Sequence, residues 1–214
     1  MEMAELLKSK FYLCRVILSL VAGISLSSRS ALANESSDIS FRMGAAVGSL
    51  LFIDEAGKTV QASFGGIPLS GQWHKETSPQ VAVSITVGTM LDLTNSQIIR
   101  QGVSGGIAYH LLGGPRHYEI SGSQAHIVSS SPTALSLVSY VGLQNFAAVS
   151  KANSKQKVAG SVLEIQGGIS YRYEWTERSA ATLELTTTLF TLPASVARLS
   201  PATQEIMFGW RTYL

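Results

Sequence analysis

The sequence predicts an all-β fold, an eight-stranded antiparallel transmembrane β-barrel of the up-and-down type, from three observations. Residues 81–93 read VAVSITVGTMLDL, in which larger apolar residues alternate with mostly smaller ones. A period of two places the two sets on opposite faces of a β-strand. Charged residues make up only 14% of the chain, against about 25% in an ordinary soluble domain. The same alternation recurs in seven other segments.

The length and the second face of segment 81–93 indicate a strand that crosses a bilayer. The segment has about thirteen residues, whereas strands of soluble proteins have roughly five or six. Its even positions are small and nearly uncharged, apart from Met90 and Asp92. A sheet face in contact with water would carry more charge, so the small face suits a narrow interior and the apolar face suits lipid.

The first 33 residues have the pattern of a secretory signal peptide. Basic residues precede an apolar stretch at 16–26, and the small-x-small sequence Ala31-Leu32-Ala33 follows, as signal peptidase requires. A membrane-anchoring helix would need about twenty apolar residues. We therefore expect residues 1–33 to be a cleaved signal peptide and residues 34–40 to be a short periplasmic lead into a barrel at 41–214. The only cysteine, Cys14, lies in the signal, which excludes a disulfide from the mature chain.

Removal of the signal peptide makes the mature chain electrically neutral. Four basic and two acidic residues lie in 1–33, and subtracting them from totals of 16 and 14 leaves 12 of each. The mature chain then has no net positive charge with which to attract nucleic acid, and we expect no nucleic-acid partner.

The predicted strands follow in order after the polar lead. The fourth is the weakest, because its alternation begins at Tyr118 and Ile120 and then fades. None of the segments has a sustained helical period. The eight segments are 41–53, 81–93, 98–112, 117–128, 134–146, 158–175, 180–191 and 203–214.

The connections between these segments mostly alternate between short and long. Short connections at 94–97, 129–133 and 176–179 predict periplasmic turns, as in outer-membrane barrels. Longer connections at 54–80, 147–157 and 192–202 predict outer loops, and the tight connection 113–116 is the exception. All six prolines fall between the predicted segments, as expected for residues that cannot donate to a ladder. So do all five mature lysines, which we expect outside: Lys58, Lys75, Lys151, Lys155 and Lys157.

Two sequence motifs carry a family resemblance. Residues 171–179, followed by 181–185, combine an aromatic-x-aromatic pattern, a short polar turn and alternating Leu and Glu. The chain ends in the alternating strand 206–214. Both resemble the final hairpins of small bacterial outer-membrane barrels of the OmpA/OmpX/OmpW-like superfamily. The resemblance implies location in the bacterial outer membrane, with insertion by the barrel assembly machinery.

The face opposite the apolar one predicts a packed lumen. It is small, with scattered Arg and Glu and no Lys, whereas a face in water would carry lysine. A lipocalin-like soluble barrel or a sandwich is the alternative. Eight strands leave room only for side chains, so we favour a closed lumen over a gate or ion filter. The expected ion-pair network comprises Arg42, Arg100, Glu164, Arg172, Glu184, Glu205 and Arg211.

Catalytic and metal-binding patterns are weak. His110 and His117 flank the 113–116 connection, but only Glu119 is a nearby further ligand, so we expect no metal site and no cofactor. His126 lies near serines 129–131, without a clear nucleophile–base–acid arrangement, so we expect no enzyme. Aromatic residues are expected at both rims: Tyr109 and Tyr118 at the outer rim, and Tyr173, Trp175, Trp210 and Tyr213 at the periplasmic rim.

The sequence predicts a structural or surface-interaction role, carried by outer loops 54–80 and 147–157. Lys151, Lys155 and Lys157 are expected to meet phosphates of lipopolysaccharide, so outer-membrane lipid and lipopolysaccharide are the expected partners. A small porin-like transport pore for ions or for small or apolar solutes is the alternative. A soluble ligand-binding barrel is the third possibility.

Overall fold

The chain forms a closed antiparallel barrel of eight strands. The computed structural model describes residues 37–53, 59–77, 80–93, 99–113, 117–121, 124–128, 131–149, 157–176, 178–194 and 200–214. The barrel order is β1-β10-β9-β8-β7-β4-β3-β2, and a separate hairpin pairs β5 with β6. The strands are β1 Ser37–Ile53, β2 Thr59–Glu76, β3 Val81–Asp92, β4 Ile99–Leu112, β5 His117–Ser121, β6 Gln124–Val128, β7 Thr133–Val149, β8 Lys157–Thr176, β9 Ser179–Pro193 and β10 Ser200–Tyr213.

The predicted fold class is confirmed for the barrel: all-β, eight strands, antiparallel and closed. Neighbouring barrel strands are consecutive in the chain once the β5–β6 hairpin is set aside, so the topology is up-and-down. Within the described ranges, no helix has the length and apolar character needed to span a membrane.

The strand register gives the barrel its stagger. Following registered pairs from Ser37 through all eight strands leads back to β1 at Val47, ten residues further along. A stagger of this kind tilts the strands by roughly 35–45° from the barrel axis. Tilted strands of 12 to 20 residues exceed the roughly 9–11 that a bilayer crossing needs.

The two faces of the barrel wall have inverted polarity. Outward side chains are large and apolar: Phe41 is 64% exposed, Ile107 57% and Val103 52%. Inward side chains include charged groups, with Arg172 4% and Glu184 5% exposed. In β3 the odd positions point outward and the even positions inward, as the sequence predicts.

The two ends of the barrel are defined by the register. At the terminal end, β1 begins and β10 ends, and Asp38 is paired with Tyr213. This end carries connections 77–80, 113–132 and 177–178, and the opposite loop end carries 54–58, 93–98, 150–156 and 194–199. The predicted lead is too long, because β1 already begins at Ser37. Residues 1–36, which include the predicted signal peptide, lie outside the described residues.

Two predicted segments are wrong. The predicted outer loop 54–80 contains β2, and the predicted strand 117–128 forms the hairpin β5–β6 outside the barrel sheet. The strand at 59–76 was not predicted because its inward positions from Gly66 to His74 are small or polar, and because Pro68 and a glycine pair interrupt the alternation. The β1–β2 register has no pair at Pro68, while the β2–β3 register continues through Pro68 and Met90. The missing N–H explains the gap on one side.

Because β2 is a barrel strand and 117–128 is not, some connections lie at the opposite end of the barrel from the one predicted. Connection 93–98 lies at the loop end, and 113–132 lies at the terminal end. Lys75 is registered with Ser37, so it lies at the terminal end, apart from the lysines at 151–157. The prediction that all six prolines lie between strands is also wrong, because Pro68 lies within β2, Pro193 ends β9 and Pro201 follows the first residue of β10.

Candidate functional site

The interior of the barrel is the candidate site, and its loop end contains an apolar cluster. This buried cluster, here called the apolar plug, draws on five strands of the barrel. Leu50, Met90 and Val162 are each 0% exposed. The plug comprises Ala46, Leu50, Phe52, Phe64, Met90, Phe146 and Val162, with Val60 packed against it.

The middle of the lumen is centred on an ion pair between β1 and β9. Arg42 Nη1 lies 2.8 Å from Glu184 Oε1, and the Tyr140 hydroxyl donates to Glu184 Oε2 at 2.8 Å. The guanidinium carbon of Arg42 also lies 5.8 Å from the centroid of the Tyr140 ring, within cation–π range. Arg42 further donates to Ser70 at 3.2 Å. Both oxygens of the buried Glu184 carboxylate therefore have a partner, as a buried ion pair requires.

A second ion pair lies between the middle and the plug. Arg100 pairs with Glu205, and Gln166 donates to the same Glu205 oxygen at 3.3 Å. Arg100 is registered between Met90 of β3 and Phe146 of β7, two members of the plug. Its guanidinium extends from the level of the plug to the polar lumen.

Glu164 of β8 is the exception among the inward charges. It is 1% exposed, and Thr188 and Thr203 donate hydroxyl hydrogen bonds to its Oε1. Its Oε2 has no hydrogen-bond partner among the described residues. No arginine, lysine or histidine of the described chain forms an ion pair with it.

The terminal end of the lumen holds a denser charge cluster. Arg211 pairs with Asp38 at 3.3 Å, and His74 Nδ1 lies 3.1 Å from the same carboxylate. Arg172 lies 3.5 Å from both Glu76 and Glu174. The Tyr213 hydroxyl donates to Glu174 at 2.8 Å. Tyr213 thus faces inward and is not a rim aromatic, contrary to the prediction.

A serine–histidine–glutamate chain runs through this cluster. His110 Nδ1 lies 2.8 Å from Ser136 Oγ, and His110 Nε2 lies 3.0 Å from Glu76 Oε2. This order of groups can relay a proton. The cavity lined by Ser136 and His110 has a volume of about 20 Å³, enough for one water and too small for an ester or a peptide. The geometry therefore gives no support to acyl transfer.

The cavities within the polar lumen are small. The one lined by Arg42, Tyr140, Glu184 and Glu205 has a volume of about 50 Å³, room for a few waters at roughly 10–15 Å³ each. Charged and polar side chains thus fill most of the lumen cross-section at this level.

The seven residues of the predicted ion-pair network all point inward. The structure brings Arg42 to Glu184 and Arg100 to Glu205. Arg172 and Arg211 pair with carboxylates outside the predicted network. Glu164 is joined to threonines. Asp38, His74 and Glu76 could not be predicted as lumen residues, because they fall in the segments predicted to be the lead and a loop.

The remaining predicted residues are three lysines and three histidines. Lys157 is the first residue of β8 at the loop end, and Lys151 and Lys155 lie outside the described residues. The described chain contains no group of three or more side chains suited to a metal ion. His110 faces the lumen, and the side chains of His117 and His126 lie outside the described part.

Exposed Tyr and Trp residues form a girdle at the terminal end. Trp175 and Trp210 have ring centroids 4.8 Å apart, and Tyr171 and Tyr173 are 43% and 47% exposed beside them. Tyr109, expected at the outer rim, lies at this same end because it is registered with Val81 and Leu137. The side chain of Tyr118 lies outside the described residues.

Two solved structures share the fold at low sequence identity. The crystal structure of Neisserial surface protein A is 11% identical, with a TM-score of 0.50, covering 81% of this chain and 96% of that one. The N-terminal β-barrel domain of Pseudomonas aeruginosa OprF is 12% identical, with a TM-score of 0.51, covering 82% and 97%. No protein-family model and no curated protein sequence matches the chain. The chain thus has the fold of a small outer-membrane barrel.

Proposed function

We propose that this chain is a bacterial outer-membrane barrel, exported by a signal peptide at 1–33 and inserted by the barrel assembly machinery with both termini in the periplasm. The observation that carries the proposal is the inverted polarity of the wall. Large apolar side chains such as Phe41 and Ile107 are exposed, while arginines and glutamates are buried. Water would penalise the first set, whereas lipid would accept it and would force the strands to close into a barrel.

The role that this geometry supports best is structural, with surface interactions at the loop end. The lumen is closed on one side by the plug and on the other by ion pairs, which argues against an open pore in this conformation. The four loop-end connections are short in sequence, at about five to seven residues each. The face at this end includes the lysine-bearing connection 150–156 and Lys157.

The partner proposed for this face is lipopolysaccharide, whose phosphates are complementary to lysine. We expect the combined substitution of Lys151, Lys155 and Lys157 by Gln to lower the amount of lipopolysaccharide retained by the folded barrel, because charge-assisted contacts are lost. The measurement is lipopolysaccharide per mole of protein after purification in mild detergent. Lys75→Gln, at the terminal end, is the control. Equal retention by the triple variant and the control would refute this partner.

A small pore is the second candidate, and the polar lumen is the observation that favours it. Charged residues and two small cavities occupy the middle and the terminal end. Conduction would require the plug to move, because Leu50, Met90 and Val162 are wholly buried across the loop end. The third candidate, a soluble ligand-binding barrel, is disfavoured by the exposed apolar wall.

A further inference from the structure

The charges in the described lumen are not balanced. Four arginines and two histidines face seven carboxylates, and five of these carboxylates pair with an arginine or share one. Such an excess of negative charge in a narrow, low-dielectric space attracts cations and repels anions. The inward carboxylates are Asp38, Glu76, Asp92, Glu164, Glu174, Glu184 and Glu205.

Glu164 is the carboxylate best placed to receive a cation. It is almost wholly buried, and its Oε2 has no hydrogen-bond partner in the described chain. The hydroxyl oxygens of Thr188 and Thr203 lie 2.7 Å apart beside its other oxygen. Carboxylate and hydroxyl oxygens are ligands for hard cations, and a single carboxylate suits a monovalent ion better than a divalent one.

The apolar plug begins directly beyond this carboxylate. Val162 lies two residues from Glu164 on the same face of β8, on the side toward the loop end, and is 0% exposed. Across the lumen, Leu50 and Met90 are equally buried. Apolar side chains that fill a constriction exclude water, and a dry constriction blocks ions. The buried Asp92, registered with Gly66 of β2, lies at the same end of the lumen.

We propose that the apolar plug is the closed gate of a monovalent-cation path through the lumen, and that Glu164 is the residue that selects the cation behind it. The proposal rests on the barrel lying in a membrane. Arg42–Glu184 and Arg100–Glu205 then line the part of the path that holds water in small cavities, and the plug is the section of the path that excludes water at rest.

The test is single-channel recording of purified, folded protein in planar lipid bilayers under a tenfold KCl gradient. The unmodified protein is expected to be silent. Leu50→Ser combined with Met90→Ser should produce stepwise currents whose reversal potential favours K⁺ over Cl⁻. Met90→Ser alone, a milder change, should produce smaller or rarer steps. The matched control is Leu51→Ser combined with Leu91→Ser, the outward neighbours, which should stay silent.

Adding Glu164→Gln to the opened variant tests the selecting residue. Currents should persist, and the preference for K⁺ over Cl⁻ should fall at least several-fold. Unchanged selectivity would overturn the role of Glu164. Opened variants that stay silent would overturn the gate, as would equal currents from the unmodified protein.

Heat-modifiable gel mobility and outer-membrane fractionation of the same samples separate this inference from the proposed function. A folded, membrane-inserted variant that stays silent contradicts only the gate. Protein that fractionates away from the outer membrane and lacks the mobility shift contradicts the proposed function itself.

Discussion

The two ends of the lumen are closed by opposite chemistry. At the terminal end, Asp38 and Glu76 are joined to arginine and histidine in a continuous polar cluster. At the loop end, Leu50 and Phe146 pack in the apolar plug, and the buried Asp92 lies at the same end. Both solutions fill the same narrow space, since eight strands leave room only for side chains. The difference shows that mainly apolar packing and mainly charge pairing can each fill a barrel of this width.

The two solutions should respond differently to substitution. A buried charge depends on one specific partner, because an uncompensated ion in a low-dielectric interior is strongly unfavourable. A buried apolar side chain depends on volume, because the loss is set by the transferred atoms and by the cavity left behind.

The largest effect is expected in the polar lumen, at Glu184. Glu184→Ala leaves Arg42, which is 8% exposed, without its carboxylate, and it should lower the free energy of unfolding by about 3–5 kcal/mol. The measurement is urea unfolding in lipid vesicles, followed by tryptophan fluorescence. Combining Arg42→Met with Glu184→Leu removes both charges and should recover most of the loss. If the double variant is no more stable than the single one, pairing is not what stabilises this region.

A smaller effect is expected in the plug, at Leu50. Leu50 is 0% exposed, so Leu50→Ala should lower the free energy of unfolding by roughly 2–5 kcal/mol, depending on how far the plug collapses. Leu51→Ala is the matched control on the outward face, where Leu51 is 39% exposed. The control should lose clearly less, because no internal cavity forms. Equal losses at the two positions would argue against a packed plug.

The wall could be predicted from the sequence better than the lumen contacts. Alternation in β3 has one register compatible with an apolar outer face, so the orientation of Val81 to Asp92 follows directly. The strand β2 could not be predicted in this way. Its inward positions, among them Gly66, Pro68 and His74, combine turn formers with polar groups, and they resemble a loop when read alone.

The partners of the inward charges could not be predicted, since they depend on the stagger of the barrel. Arg42 and Glu184 are 142 residues apart in the chain and meet only when the barrel closes. The same closure leaves Glu164 beside Thr188 and Thr203 rather than beside an arginine. The residue types predicted a network of ion pairs, but they did not show that Glu164 is bound by threonines and forms no ion pair with an arginine.

Spin labels on two adjacent residues of β4 test most directly whether the apolar outer wall lies in hydrocarbon. In a chain that carries Cys14→Ser, Val103→Cys places a nitroxide on the outward face, where Val103 is 52% exposed, and Ser104→Cys places one beside the luminal cavity. In vesicles, we expect the Val103 label to collide often with dissolved oxygen, which concentrates in lipid, and the Ser104 label to be shielded. A Val103 label that instead collides mainly with a water-soluble nickel complex would contradict the placement of the outer wall in lipid.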